Sequence, residues 1–267
     1  MKQRVISAMV MIAVFVPFLL VGELPFAVFM AVLGVFSLYE LIHVRESVKE
    51  FPTLLKIFAY IMVLMFSLYH YNSIEFQMQF DYRVMSLILF LFLAPMVFIN
   101  NSKKYDLNDA LFLIGSVLFI GLSFNLIVVT RNFDIMYIIY LFLITTITDT
   151  FAFITGKLIG KHSLCPKISP KKTVEGLFGG VFMGTFVATA FYYTVINSSI
   201  SLVLLIFATM ALCLVGQLGD LIFSSIKRSY DVKDFSNLIP GHGGMLDRFD
   251  SLIFVTFAFI ILLGIML

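Results

Sequence analysis

Residues 109–156 read DALFLIGSVLFIGLSFNLIVVTRNFDIMYIIYLFLITTITDTFAFITG. Two runs inside this stretch, 109–129 and 135–156, are almost free of charge, and each approaches the ~20 apolar residues a helix needs to cross a bilayer. Lipid offers no hydrogen bonds, so a chain crossing it must satisfy its backbone as a helix or a closed barrel. The alternating apolar and polar pattern of barrel strands is absent, which leaves the helix. Worked outward, the same reading gives candidate helices near 5–21, 25–43, 54–71, 84–99, 109–129, 135–156, 176–196, 201–224 and 251–267. Only Gly22-Glu23-Leu24-Pro25 separates the first two, so they form a tight helical hairpin.

Composition agrees. Of 267 residues, 61% are hydrophobic and 13% charged, against roughly 45–50% and 25% in soluble domains. A water-soluble globule is excluded, and lone surface-lying helices would need polar faces that these runs lack. The fold class is all-α, a polytopic integral membrane bundle of about nine transmembrane helices. Lys2 and Arg4 before the first run imitate a signal peptide, but Val21-Gly22-Glu23 is a poor cleavage site, so this segment is read as a retained helix. Cys165 and Cys213 have no metal-ligand spacing and are read as reduced thiols.

A net charge of +2 makes no case for nucleic acid. Position matters more than the sum. With nine helices and a cytoplasmic N-terminus, every Lys and Arg except Arg83 and Arg131 falls on the cytoplasmic side, Lys103 and Lys104 included. That is the asymmetry the positive-inside rule expects. Two cytoplasmic segments, 157–175 and 225–250, are long, polar and rich in Gly, Pro, Ser and Lys, as functional loops on a rigid scaffold tend to be.

Acids within the apolar runs lead into both. Asp149 stands on a face with Thr145, Ala152, Gly156 and Gly160, and Asp220 on one with Gln217, Ser224 and Lys227. A carboxylate at membrane depth costs several kcal/mol unless paired, protonated or bound to a cation, so these stripes face the bundle. Such acids serve as interhelical glue or as functional groups; two at one depth, each above a basic loop, favour function.

Residues 225–251, SIKRSYDVKDFSNLIPGHGGMLDRFDS, mix Lys227, Arg228, Lys233 and Arg248 with Asp231, Asp234, Asp247 and Asp250. A site for a nucleoside triphosphate and a hard divalent metal needs this mixture: carboxylates for Mg²⁺, Lys and Arg for phosphate. Gly241, Gly243 and Gly244 flank His242, and glycines permit backbone shapes that aim N–H groups at an anion. Taken singly, these pieces are also ordinary turns and solvated charge. In the other loop, Ser169-Pro170-Lys171-Lys172-Thr173 offers an anion site, or else simply the positive charge that orients helices.

These residues carry a resemblance. Lys227-Arg228, Lys233-Asp234, Pro240, His242-Gly243-Gly244, Asp247-Arg248 and Asp250, preceded by Ser225 or its neighbour, resemble the signature of bacterial phosphatidate cytidylyltransferases, or CDP-diacylglycerol synthases. The block from Asp149 to Lys157, the one from Ser169 to Gly176, and Gly216 to Asp220 are similar to further family blocks. The match covers about the C-terminal half. The first hundred residues agree only in hydrophobic pattern, so 1–100 is expected to be scaffold and 101–267 the catalytic region.

The resemblance implies transfer of a cytidylyl group from CTP to phosphatidate, giving CDP-diacylglycerol and pyrophosphate, with Mg²⁺ and room for a second cation. It is compatible with a homodimer in the bacterial cytoplasmic membrane, with the active site on the cytoplasmic side. Asp220, Asp247 and Asp250 are expected to hold metal, with Asp149 a further ligand or a structural residue. Lys227, Arg228 and Arg248 are expected to take part in catalysis. Ser169, Lys171, Lys172, Lys233, Asp234, His242, Gly243 and Gly244 are expected to bind substrate. Two competing readings are a CTP-dependent polyprenol or lipid-alcohol kinase and a cation-coupled transporter; the latter leaves the His-Gly-Gly loop unexplained.

Overall fold

Helices form wherever the apolar runs stand. The computed structural model describes residues 2–69, 71, 82–99 and 104–266; Lys103 and the side chains of Lys2 and Arg4 lie outside the described residues. The elements are α1 (Lys2–Val21), α2 (Glu23–Glu46), α3 (Thr53–Leu68), α4 (Tyr82–Leu93), α5 (Pro95–Ile99), α6 (Leu107–Phe133) and α7 (Ile135–Ile159). A short hairpin follows, β1 (Ser163–Cys165) and β2 (Ser169–Thr173), then α8 (Val174–Phe191) running into a wider turn at Tyr192–Ile196. The chain ends with α9 (Leu202–Ser229) and α10 (Leu246–Met266). Among the described residues six helical stretches are long and apolar enough to cross a membrane: Glu23–Glu46, Tyr82–Ile99, Leu107–Phe133, Ile135–Ile159, Val174–Ile196 and Leu202–Ser229. Val5–Val21 and Thr53–Leu68 are shorter apolar helices.

Three boundaries differ from the sequence reading. The segment expected over 84–99 breaks at Ala94, because Pro95 has no N–H to continue the ladder. α9 runs to Ser229, so Lys227 and Arg228, read as loop residues, sit on its last turn, where cations complement the helix dipole. The loop after α7 contains the two-stranded hairpin, with Ser163 opposite Thr173 and Cys165 opposite Ser169.

The chain packs as two compact units, Met1–Phe133 with Phe235–Leu246, and Asp134–Asp234 with Asp247–Leu267. This division by packing differs from the 1–100 and 101–267 division by motif. α6 belongs with α2 and α3, and residues 235–246 belong with the N-terminal helices.

In the first unit, Phe26, Met30, Leu38 and Ile42 of α2, Ala59 and Val63 of α3, and Leu113, Val117, Ile120 and Phe124 of α6 are buried. The unit is closed at one end by ion pairs. Asp109 accepts from Arg45 at 3.1 Å and pairs with Lys49, which also reaches Asp106 at 3.0 Å. The Lys49 ammonium beside it holds the Asp106 carboxyl below the usual carboxylate range. Arg45 lies over the rings of Phe51 and Phe112. At the other end, Arg131 donates to the carbonyls of Leu19 and Leu20, which the end of α1 leaves without intrahelical partners.

In the second unit, α7 and α8 meet along glycines. A Cβ added at Gly180 would lie 2.5 Å from the Thr148 carbonyl oxygen, and one at Gly176 would lie 2.7 Å from that of Ala152. Small residues spaced four apart let two backbones touch, which is the usual way helices associate where lipid removes the hydrophobic driving force. The Ala152–Gly156 face read from the sequence is one side of this seam. Gly176, Gly180 and Gly184 form the other.

Candidate active site

The second unit gathers most of the expected site. Thr173 caps α8 by accepting from the Gly176 N–H at 3.1 Å, which fixes β2 against the start of that helix. Side chains alternate along a strand, so the two adjacent lysines of β2 diverge. Lys171 is exposed. Lys172 reaches Asp220 at 2.6 Å and the Gln217 amide oxygen at 3.4 Å.

Asp220 also accepts from the Ser224 hydroxyl at 3.2 Å, one turn further along α9. A turn beyond, Lys227 donates to Asp247 at 2.5 Å. The polar stripe of α9 therefore faces protein, with Gln217, Ser224 and Lys227 buried. Gly219 lets α10 come close; a Cβ there would lie 2.9 Å from Phe254 and 3.1 Å from the Asp250 carbonyl.

Asp149 and Asp250 lie within electrostatic range of Asp220 and of each other, with Lys172 and Arg248 acting on Asp149 and Lys227 acting on Asp250. Four acids from α7, α9 and α10 thus share one charged region with Lys172, Lys227 and Arg248. Arg228 is directed elsewhere, donating to the carbonyls of Val232 at 2.8 Å and Ile168 at 3.3 Å. Ser169 ends the hairpin opposite Cys165. Lys233 and Asp234 are exposed beyond α9. Lys171, Lys233 and Arg248 have no ion-pair partner among the described residues.

The donor set suits a hard divalent cation such as Mg²⁺, which takes carboxylate oxygens and keeps waters. Two of the four acids are held by lysines, and among the described residues no three His, Cys, Asp or Glu side chains stand together as ligands. Asp149, Asp220, Asp247 and Asp250 supply carboxylate oxygens of the kind Mg²⁺ takes.

His242, Gly243 and Gly244 belong to the first unit. Ile239 accepts from the His242 N–H at 2.9 Å, and its own N–H donates to Gly243 at 2.9 Å. Pro240 and Gly241, with Gly241 at φ 79°, occupy the two central positions of this turn, as a type II turn requires. Gly243, at φ 82°, is also left-handed. The His242 Nδ1 is buried without a hydrogen-bond partner.

The base of this turn rests on a residue the sequence reading passed over. Glu40 of α2, 1% exposed, accepts from the Ser236 hydroxyl at 2.6 Å, the Met245 N–H at 2.7 Å and the Leu246 N–H at 2.9 Å. A lone acid in an apolar α2 run was the available signal, but its partners lie some two hundred residues away. The Gly176-Gly180-Gly184 spacing was equally visible and equally unread.

The family model described as the cytidylyltransferase family matches residues 2–266. The chain belongs to the cytidylyltransferase family. Relatives named phosphatidate cytidylyltransferase include those of Staphylococcus aureus (strain COL), 36% identical over 96% of both chains, and Bacillus subtilis (strain 168), 35% identical over 96% of this chain and 94% of its own. The similarity to these cytidylyltransferases extends through the N-terminal helices, well beyond the motif-bearing half that carried the resemblance. A family of enzymes that move nucleotidyl groups accords with acids and cations collected in one region of a membrane protein.

Proposed function

We propose that this cytidylyltransferase joins the phosphate of phosphatidate to the α-phosphorus of CTP, releasing pyrophosphate and leaving CDP-diacylglycerol in the membrane. The observation that carries the reading is the alternation of acids and cations around α9, Lys172 with Asp220 and Lys227 with Asp247, in a family named for cytidylyl transfer.

Both reactants are anions, and negative charge builds on the leaving pyrophosphate oxygen as its bond to the α-phosphorus breaks. Positioning and charge neutralisation then supply most of the catalysis. Phosphatidate is already an anionic oxygen nucleophile, so no residue need remove a proton from it. Lys171, Lys233 and Arg248, exposed cations, bind triphosphate or lipid phosphate oxygens. Lys172 and Lys227 hold Asp220 and Asp247 in place. Ser169, Arg228 and Asp234 shape the polar segments around them. His242, Gly243 and Gly244 are read as substrate-binding residues on the motif they carry. Asp220, Asp247 and Asp250, with Asp149 a further candidate, are the residues that would hold Mg²⁺, which would supply charge neutralisation at the triphosphate.

The same reading puts the N-terminus and both polar loops on the cytoplasmic side of a bacterial cytoplasmic membrane, where CTP is available, with about nine crossings and residues 101–267 as the catalytic region. The positive-inside distribution supports it.

Purified protein incubated with Mg²⁺, phosphatidate and CTP labelled at the α-phosphate is the test. Label appearing in lipid, with pyrophosphate released, is the expected result. CDP and a lipid phosphate formed from a lipid alcohol would instead make the chain a kinase.

A further inference from the structure

We infer that Glu40 of α2 is the positioning residue of the His242-Gly243-Gly244 turn. The inference rests on the reading of that turn as part of the substrate site.

Glu40 ties both ends of the segment 236–246. On one side Ser236 donates to Oε1, and on the other Met245 donates to Oε1 and Leu246 to Oε2. Met245 and Leu246 lead directly into Asp247 in the chain. Each of these three partners is a donor, and a carboxylate is an acceptor at both oxygens. Gly244 lies so close that an added Cβ would stand 2.6 Å from Oε2 and 2.7 Å from Oε1, which accounts for glycine at a position where the neighbouring side chain leaves no space. Ser7 adds a further tie, donating to the Pro240 carbonyl at 2.8 Å. A buried acid with no basic partner among these contacts, spent entirely on donors of one turn, has the form of a clasp. Burying such a group in α2 is costly unless its hydrogen bonds are made.

Glu40→Gln is the sharp variant, since it keeps the volume and turns one acceptor into a donor that must face an N–H. The expected result is a fall in kcat/KM for CTP of about tenfold in folded protein, carried mainly by KM. Amide hydrogen exchange at Met245 and Leu246 should speed up by about tenfold, with exchange in α6 unchanged. Ser236→Ala, which removes one donor and leaves the acid, should raise KM for CTP by about threefold and serves where Glu40→Gln does not fold. Unaltered kinetics and exchange in folded Glu40→Gln overturn the clasp. Unaltered kinetics in Gly244→Ala as well overturn the reading of the turn itself, on which the clasp depends.

Discussion

Lys227 on the last turn of α9 donates to Asp247 on the first turn of α10 at 2.5 Å, and both residues are less than a tenth exposed. A buried pair of this kind adds little over an apolar pair of the same volume, but losing one partner strands a charge. Asp247→Asn and Lys227→Met should each lower stability by about 3 kcal/mol, read as a fall in melting temperature in detergent. The double change Lys227→Met/Asp247→Leu should recover most of that loss and remain inactive. Recovery of activity in the double variant would take both residues out of the chemistry.

The two lysines of β2 should separate in kinetics. Lys171→Met removes an exposed cation and should raise KM for CTP or phosphatidate about tenfold, equivalent to about 1.4 kcal/mol, with little change in stability. Lys172→Met leaves Asp220 without its 2.6 Å partner and should lower kcat more than it raises KM. Identical kinetic effects of the two changes would show that strand alternation does not divide their roles.

Chelation of divalent cations should abolish lipid labelling, and Mg²⁺ should restore it. Asp220→Asn and Asp250→Asn should shift the Mg²⁺ concentration for half activity upward by about tenfold or more. Full activity in chelator would remove the metal from the reaction.

The α7–α8 seam should tolerate nothing larger than glycine at Gly180, where a Cβ would meet the Thr148 carbonyl oxygen at 2.5 Å. Gly180→Ala should cost about 1–3 kcal/mol as overpacking. Gly115→Ala on α6, where an added Cβ meets nothing within 4 Å, should be neutral or slightly stabilising. Thermal unfolding of the pair decides it.

Asp106 gives a pH signature. Its hydrogen bond from Lys49 lowers its folded value below the ordinary one, about 4 when unfolded. The stabilisation is therefore present in full above that ordinary value and is lost as pH falls through the lowered one. Wild type should exceed Asp106→Asn in stability at pH 7, and the difference should shrink once pH falls below the ordinary carboxylate value.

Much of the fold was legible because apolar length has few interpretations in a chain this hydrophobic. The helices stand where the runs stood, and Asp220 of α9 faces Lys172 and Ser224, as the cost of a charge in lipid demands, whereas Asp149 of α7 is exposed. What escaped was whatever depends on partners distant in sequence. Lys227, read on the Asp220 face as a phosphate contact, is bound to Asp247; Arg228 beside it serves the backbone of Val232 and Ile168. Glu40 looked like one acid in a scaffold helix, and only the fold supplies the three donors that explain it. The hairpin at 163–173 was too short for any period to register.

The backbone contact between α7 and α8 also sets the bearing of an acid. Gly180 and Gly184 close on Thr148, the residue before Asp149, so the seam fixes the rotation of α7 at that point, and a slip of either helix would swing the Asp149 carboxyl with it.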